Sequence, residues 1–477
     1  MTNYLLLESQ PENKYSKLVN NQKIVIIPEF TLECGESLYE VPVAFKTWGK
    51  LNEKKNNCMV ICHALTGSSD ISDWWGPLLG KGKAFDPTKF FIICLNSLGS
   101  PYGSASPMTK DPASGERYGP EFPLATIRDD VRIHKKVLDF LGVKQIAAVI
   151  GGSMGGMVTL EYPLILGEEY VRSVVALATS ARHSAWCISW GEAQRQSIYS
   201  DPKYKDGYYD VNDGPVSGLA AARMSALLTY RSRNSFENRF ARNDPLQAKN
   251  VPKSKLLGHE GSIPENSPVT PKEENWTIHN EGNKNRKHSV SSPSLRAEPP
   301  TSPSANISHP KKRPQTFFTA QSYLRYQGDK FIGRYDPNCY ISVTRKLDTH
   351  DLSRDRYVTN PENPNELIPI TMEQQLGKIT QPSLIIGIAS DGLFTLAEQE
   401  YLAKHIPNSV MYTVHSSEGH DAFLLEFMEI NNLIIDFEEK HLVDILEQEA
   451  IELDNHEDLR MKGGPSLFGE SEEVTNW

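Results

Sequence analysis

The stretch that decides the fold is AAVIGGSMGGMVTL, residues 147–160, in which four glycines surround one serine. An apolar run ends at the first two glycines, and a second apolar run begins directly after the last two. Three kinds of loop fit this arrangement: a phosphate-binding loop, a turn that presents a catalytic nucleophile, and a tight turn without chemistry. The glycine spacing and the rest of the chain decide between them.

Both kinds of phosphate-binding loop fail on spacing. A P-loop requires Gly-Lys-Ser/Thr after four intervening residues, and no lysine follows here. A dinucleotide-binding loop requires glycines at relative positions 1, 3 and 6, which Gly151, Gly152, Gly155 and Gly156 cannot supply in any register. The next apolar run, VVALATSA, also ends without the acidic residue that would bind a ribose.

The nucleophile turn fits the sequence. Gly151, Ser153 and Gly155 match G-x-S-x-G between a predicted strand and a predicted helix. Such a turn is so tight that the residues two before and two after the serine must be small. The helix behind it directs its N-terminal amides at a developing oxyanion. We therefore predict that Ser153 is a nucleophile.

The surrounding segments predict the fold class. Residues 58–67 and 90–100 are short apolar runs that end in polar, glycine-containing turns, as expected of buried parallel strands. Residues 126–142 form an amphipathic helix pattern capped by Thr126, and residues 23–46 have the alternation of a β-hairpin. Alternating strands and helices of this kind predict an α/β fold with a doubly wound, mostly parallel sheet.

A serine nucleophile needs a base, and the base needs an acid to orient it. In α/β-hydrolase folds these residues follow in the order serine, acid, histidine, each after a strand. Asp391 ends the apolar run SLIIGIAS, and His420 follows VMYTVHSS. His415 is a competing base, but it lies inside the strand pattern. Asp421 competes weakly with Asp391, because it would have to fold back to orient its neighbour His420.

The oxyanion needs two backbone amides. One comes from the residue after the nucleophile, Met154, and the second comes from the loop after an early strand. The sequence HALTG, residues 63–67, follows such a strand. We therefore predict that the Leu65 amide completes the oxyanion hole.

Composition divides the chain further. Residues 184–240 contain helix-like segments rich in Trp, Arg and Tyr, whereas residues 241–314 hold 11 of the 31 prolines and no Tyr or Phe. The latter stretch has too few large apolar residues to offset the entropy of ordering. We predict a hydrolase core over 1–183 and 371–436, a helical lid over 184–240 and 315–370, a disordered Pro/Ser-rich insertion over 241–314, and an acidic C-terminal tail over 437–477.

Charge and cysteine usage exclude several classes of protein. The net charge of −10 argues against nucleic acid or an anionic membrane as a partner. No run of about 18 apolar residues would span a membrane, and the N-terminus lacks a secretory or mitochondrial leader pattern. The six cysteines are scattered, with no metal-ligand spacing, which favours a cytoplasmic protein without a metal site.

Five blocks of sequence carry a family resemblance. CHALTGSSD, LNSLGSPYGSASP, GGSMGGM, TYRS and EGHDAFLLEF occur in this order. Together they resemble the homoserine O-acetyltransferase family of the α/β-hydrolase superfamily, and the fungal members in particular. The resemblance extends over residues 23–240 and 315–435.

The resemblance implies a reaction. The acetyl group of acetyl-CoA passes through an acyl-Ser153 intermediate to the γ-hydroxyl of L-homoserine, giving O-acetyl-L-homoserine and CoA for methionine biosynthesis. Arg223 would bind the homoserine carboxylate, Tyr230 would shape that pocket, and Asp421 would hold the amino group. The resemblance further implies a homodimer with no permanently bound cofactor.

The residues leave alternatives open. The donor could be succinyl-CoA and the acceptor serine, and a plain serine esterase would use the same three catalytic residues, since water deacylates any acyl-serine. A catalytically inactive binding module is a third class, which the intact set of catalytic residues disfavours. A transferase has to exclude water until the acceptor arrives. Residues 184–240 are the candidate lid for that task.

Overall fold

The computed structural model describes residues 4–243, 271–283 and 318–452. A nine-stranded sheet runs through the molecule, and the predicted α/β class with a mostly parallel sheet is confirmed. Its nine strands are β1 (Leu5–Leu7), β2 (Lys23–Thr31), β3 (Ser37–Trp48), β4 (Cys58–Cys62), β5 (Phe91–Leu95), β6 (Ile146–Gly152), β7 (Val174–Leu177), β10 (Ser383–Ile388) and β11 (Ser409–Val414), and β8 (Tyr357–Asn360) and β9 (Asn363–Pro369) form a separate pair.

The sheet combines an antiparallel edge with a parallel body. Its spatial order is β1-β2-β3-β5-β4-β6-β7-β10-β11, and every pair from β5 to β11 in that order is parallel. β2 and β3 form the hairpin predicted over 23–46. The carboxyl ends of β4, β6, β10 and β11 therefore meet at one edge of the sheet, where ligands bind in open α/β folds.

The parallel strands are apolar because both faces of the sheet are covered. Every residue of β4, β5 and β6 is buried. Within β4, Val60 joins the apolar cluster on one face, while Met59 and Ile61 join the cluster on the other. Successive side chains point to opposite faces, so one strand contributes to two cores.

Helices flank the sheet on both sides. They are α1 (Ile71–Trp74), α2 (Ile127–Phe140), α3 (Met154–Leu166), α4 (Ala185–Tyr199), α5 (Val216–Tyr230), α6 (Arg233–Arg239), α7 (Pro271–His279), α8 (Thr319–Ile332), α9 (Pro337–Asp348), α10 (Met372–Leu376), α11 (Leu396–His405), α12 (Ala422–Leu425), α13 (Phe427–His441) and α14 (Val443–Leu446).

The helix predicted over 126–142 begins as its sequence indicates. The Thr126 hydroxyl accepts from the Asp129 amide at 3.2 Å, and the Asp129 carboxylate accepts from the Thr126 amide at 2.9 Å. This reciprocal cap satisfies two backbone donors that the first helical turn leaves unpaired, and such a cap is worth about 1 kcal/mol.

One prediction about the lid and one about the insertion are wrong in part. The region 315–370 is not helical throughout, because β8 and β9 pair as an antiparallel hairpin whose residues are mostly exposed. Disorder over 241–314 is wrong for Pro271–His279, which form α7; Arg325 of α8 pairs with Glu281 just beyond it, with Nη2 and Oε2 2.6 Å apart. An ion pair to a neighbouring helix can stabilise such a segment, and composition does not reveal it. Residues 244–270 and 284–314 of that prediction lie outside the described part of the chain.

The predicted start of the acidic tail at residue 437 is also wrong. α13 continues to His441 and α14 follows it, and Phe437, Leu442 and Ile445 are buried in the core beneath the sheet. These apolar positions recur at helical spacing and override the acidic composition of the surrounding chain. Residues 453–477 of the predicted tail lie outside the described part of the chain.

Candidate active site

Ser153 occupies a strained turn between β6 and α3. Its φ of 59° and ψ of −127° are unusual for a residue with a side chain, and α3 begins at the next residue. A Cβ at Gly151 would lie 2.5 Å from the Gly155 carbonyl oxygen, and a Cβ at Gly155 would clash with the carbonyl of Cys62. The glycines therefore let the helix run directly against the end of β4, which presents the serine at the edge of the sheet.

Three predicted residues meet at this turn. The Ser153 Oγ lies 2.9 Å from His420 Nε2, and His420 Nδ1 lies 2.6 Å from Asp391 Oδ2. A carboxylate only accepts, so Nδ1 carries the proton and Nε2 is left to accept from the serine hydroxyl. The His420 and Asp391 side chains are almost completely buried. This is the geometry that a serine nucleophile and its base require.

Backbone amides hold Asp391 in place. Its Oδ1 accepts from the amides of Leu393 and Phe394 at 2.8 and 3.0 Å, which leaves Oδ2 for His420.

The competing base, His415, does not fit this geometry. β11 ends at Val414, so His415 is the first residue after the strand rather than within it, and its side chain is exposed.

The loop after β4 reaches the serine. Leu65 lines the same cavity as Ser153, and Met154 is the first residue of α3. His63, which the sequence analysis did not single out, braces this loop. Its Nε2 accepts from the Ser97 amide at 3.0 Å, so its Nδ1 carries the proton and donates to the Ala64 carbonyl at 2.8 Å. Burial lowers the pKa of His63 to about 4, which keeps the ring neutral.

A cavity opens above Ser153. The core supplies its floor, and helices of the predicted lid supply one wall. The lining residues are Ala64, Leu65, Thr66, Ser153, His183, Cys187, Trp190, Gly191, Gln194, Thr229, Tyr230, Thr344, Leu347, Leu393, Phe394, His420, Asp421, Phe423 and Leu424. A mostly apolar pocket with a few converging polar groups is typical of a small-molecule site.

Two other groups in the cavity wall could act as a base or a nucleophile. Burial lowers the pKa of His183 to about 3. Burial also raises the pKa of the Cys187 thiol to about 11, so that it stays protonated at neutral pH. Neither group competes with His420 or Ser153 in the chemistry of the cavity.

The predicted carboxylate ligand lies behind the wall. Arg223 of α5 is buried and does not line the cavity. Its guanidinium carbon lies 5.6 Å from the centre of the Tyr230 ring and 5.1 Å from that of Phe331. Tyr230 itself lines the cavity, with its ring centre 6.2 Å from that of His420. Tyr230 thus lies close to both Arg223 and His420.

Asp421 lines the cavity but has a partner that the sequence did not indicate. Its Oδ2 lies 2.9 Å from the Nε of Arg231, which also pairs with Glu418. Arg231 stands in the TYRS motif directly after Tyr230, so the motif was the available signal. The adjacent Asp421 and His420 thus face different partners, one in the lid and one in the core.

Within the ranges 4–243, 271–283 and 318–452, no group of three acidic, histidine or cysteine side chains could hold a metal ion. The helices of these ranges include none that is long and apolar enough to cross a bilayer. All six cysteines are free.

Comparisons with known proteins also indicate an α/β-hydrolase. Residues 57–427 match the family described as alpha/beta hydrolase fold. The homoserine O-acetyltransferase of Schizosaccharomyces pombe is 53% identical, over 98% of this chain and 96% of the relative.

Among solved structures, the homoserine O-acetyltransferase of Bacillus anthracis superposes with a TM-score of 0.64 at 19% identity, covering 91% of this chain and 99% of that one. Esterase E22 superposes with the same TM-score of 0.64 at 20% identity, covering 87% and 99%. At such low identity these two structures support the fold alone.

Proposed function

This chain belongs to the homoserine O-acetyltransferase family of the α/β-hydrolases, and we propose that it transfers the acetyl group of acetyl-CoA to the γ-hydroxyl of L-homoserine. The products are O-acetyl-L-homoserine and CoA, and the reaction serves methionine biosynthesis. The observation that carries the mechanism is the continuous contact from Asp391 through His420 to Ser153 at the floor of the cavity.

The first half-reaction acylates the enzyme. The Ser153 Oγ attacks the thioester carbon while His420 Nε2 takes its proton. The resulting oxyanion would accept hydrogen bonds from the Leu65 and Met154 amides. Collapse expels the CoA thiolate, which takes the proton from His420. Asp391 fixes the imidazole orientation throughout.

The second half-reaction removes the acetyl group. The homoserine hydroxyl gives its proton to His420 Nε2 and attacks the acyl carbon, and Ser153 regains the proton as the ester leaves. Asp421 lines the cavity and would accept from the homoserine ammonium. Tyr230 would shape the site, and Arg223 would bind the carboxylate bidentately. Arg223 does not line the cavity and lies against the Tyr230 ring. We therefore expect the position of that ring to decide whether the guanidinium can contact the homoserine carboxylate.

The rate of CoA release tests the proposal. With acetyl-CoA and homoserine together, we expect sustained release of free thiol and formation of O-acetylhomoserine. With acetyl-CoA alone, we expect one equivalent of thiol per Ser153 followed by slow turnover. Thiol release at the same sustained rate without homoserine would identify a hydrolase instead.

The choice of donor and acceptor is tested by the same assay over a matrix. We expect acetyl-CoA with homoserine to give a higher kcat/KM than any combination with succinyl-CoA or serine. Among the cavity-lining residues of the described chain, Asp421 is the one acidic side chain and there is no Lys or Arg. The lining would therefore offer a succinyl carboxylate no cation, and Arg223 behind it is assigned to the homoserine carboxylate, which supports acetyl as the donor group.

We place this activity in the cytoplasm, in a homodimer. The free cysteines are compatible with a reducing compartment. The dimer rests on the family resemblance. Light scattering on the purified protein tests it, and a mass of one chain at micromolar concentration would contradict it.

A further inference from the structure

Arg231 joins the lid to the catalytic loop. It is the residue after α5, its side chain is only 4% exposed, and it pairs with two carboxylates of the loop between β11 and α12. These are Glu418, two residues before His420, and Asp421, directly after it. The neighbouring carboxylates outweigh the burial that by itself would lower the pKa of Arg231, and they raise that pKa, so the guanidinium stays charged.

Backbone and hydroxyl contacts extend this junction. Ser235 Oγ donates to Glu418 at 2.8 Å, and the Ser232 hydroxyl donates to the Ser417 carbonyl. A Cβ at Gly419 would clash with the Ser232 amide, so the two chains touch at backbone level. The residues before and after His420 are thus held by the lid, whereas His420 itself faces Asp391 and Ser153 of the core.

Negative charges lie around His420, and positive charges of the lid face them. Asp391 contacts the ring, and Glu418 and Asp421 flank it in the chain. Facing these carboxylates from the lid are Arg231 and Arg239, the latter 3.8 Å from Glu418. Tyr323 of α8 interacts electrostatically with the same charges and with Arg223 of α5, and burial raises the pKa of Tyr323, so it stays neutral. Removal of one charge from this group changes the field at His420.

We propose that Arg231 is a positioning residue for the acyl transfer: it holds the His420 loop against the lid and offsets the carboxylates on either side of His420. This inference rests on the proposed function, because it requires His420 to act as the base. Without Arg231, the uncompensated carboxylates would favour the imidazolium, which cannot accept a proton from Ser153. The loop would also lose its main attachment to α5.

The test is the pH dependence of kcat/KM in four variants. Because Arg231→Gln removes a positive charge, we expect the acid limb to move to higher pH by roughly half to one unit. Glu418→Gln removes a negative charge, so the limb should move the opposite way, to lower pH. Arg231→Lys retains the charge and Ser235→Ala removes only a hydroxyl, and both should leave the limb at the wild-type pH.

Loss of structure alone would lower the rate without these opposite shifts. If Arg231→Gln does not fold, as judged by circular dichroism, the Glu418→Gln shift decides by itself. Acid limbs that coincide in wild type and Glu418→Gln, or a shift in Arg231→Lys equal to that in Arg231→Gln, would overturn the proposal.

Two substrates separate this inference from the proposed function. Acetyl transfer to homoserine tests the proposed function, whereas hydrolysis of p-nitrophenyl acetate requires only Ser153, His420 and Asp391. If the wild type hydrolyses the ester but transfers no acetyl group, the proposed function fails. The four acid limbs can still be measured with the ester, and they test Arg231 independently.

Discussion

The turn around Ser153 and the C-terminal end of α5 supply two halves of one cavity by different means. At the serine, position follows from local backbone geometry: a positive φ, four glycines, and a helix that starts at the next residue. At α5, Tyr230 and Arg231 lie on an ordinary helix end, and their positions depend on contacts with a loop nearly 190 residues away in sequence, such as that of Arg231 with Glu418.

The comparison predicts which half-reaction depends on the Ser153 side of the cavity, the core half, and which depends on the α5 side, the lid half. The core half contains the proposed nucleophile, base and acid, so changes there should stop both half-reactions. The lid half contains the residues proposed to receive the acceptor, so changes there should affect the second half-reaction and spare the first. A burst of CoA release without homoserine measures the first half-reaction alone.

The largest effect is expected from Ser153→Ala. Removal of the nucleophile should lower kcat by about 10⁴-fold or more and abolish the CoA burst, because no acyl-enzyme can form. Ser189→Ala, on the outer face of α4, is a matched control that should keep both. A Ser153→Ala enzyme with a full burst would show that the acyl group is carried elsewhere.

The next largest effect is expected from Gly155→Ala. The added methyl would meet the backbone of Cys62 and His63, which cannot move without displacing β4. We expect a loss of about 2–4 kcal/mol in the free energy of unfolding. Gly392→Ala is the control, because nothing lies within 4 Å of its Cβ. Equal denaturant midpoints for the two variants would mean that the turn tolerates a wider approach.

A smaller and more selective effect is expected from Arg223→Met. Loss of the guanidinium should raise the KM for homoserine about 10- to 100-fold and leave the CoA burst intact, since a charged hydrogen-bonded pair is worth about 1.5–3 kcal/mol. Arg233→Met, with a side chain 85% exposed on α6, should change neither quantity. Loss of the CoA burst in Arg223→Met would contradict this division, because it would mean that the lid half also controls the first half-reaction.

The smallest effect is expected from Tyr230→Phe. The ring that packs over Arg223 and near His420 remains, and only the hydroxyl is lost. We expect a change of about 2- to 10-fold in kcat/KM for homoserine, as for one neutral hydrogen bond. Tyr208→Phe, an exposed residue whose hydroxyl donates to Glu121, is the control. A 100-fold loss in Tyr230→Phe would place its hydroxyl in the chemistry itself.

The core half was visible in the sequence because its constraints are local. Gly151, Ser153 and Gly155 mark a turn that few other residues could form, and Asp391 and His420 each follow an apolar strand. Parallel strands bring their carboxyl ends to one edge, so strand order alone brought the three residues together.

For the lid half, the sequence indicated which residues take part but not what they contact. The sequence indicated Arg223, Tyr230 and Asp421 through a family resemblance, but it did not indicate that Arg223 lies against the Tyr230 ring or that Asp421 pairs with Arg231. Helical periodicity places a residue on a face without saying what packs there. The hairpin of β8 and β9 and helix α7 were missed for a related reason, since weak local signals were outweighed by composition.

By itself, the sequence determined the parallel strands, the glycine-rich turn at Ser153 and the order of Ser153, Asp391 and His420. Glycine spacing and strand alternation are short-range rules that a linear chain displays directly. Only the tertiary structure decided that Arg231 pairs with the carboxylates on either side of His420. That contact joins residues 231, 418 and 421, and distant side chains meet only after the core and the lid have packed against each other.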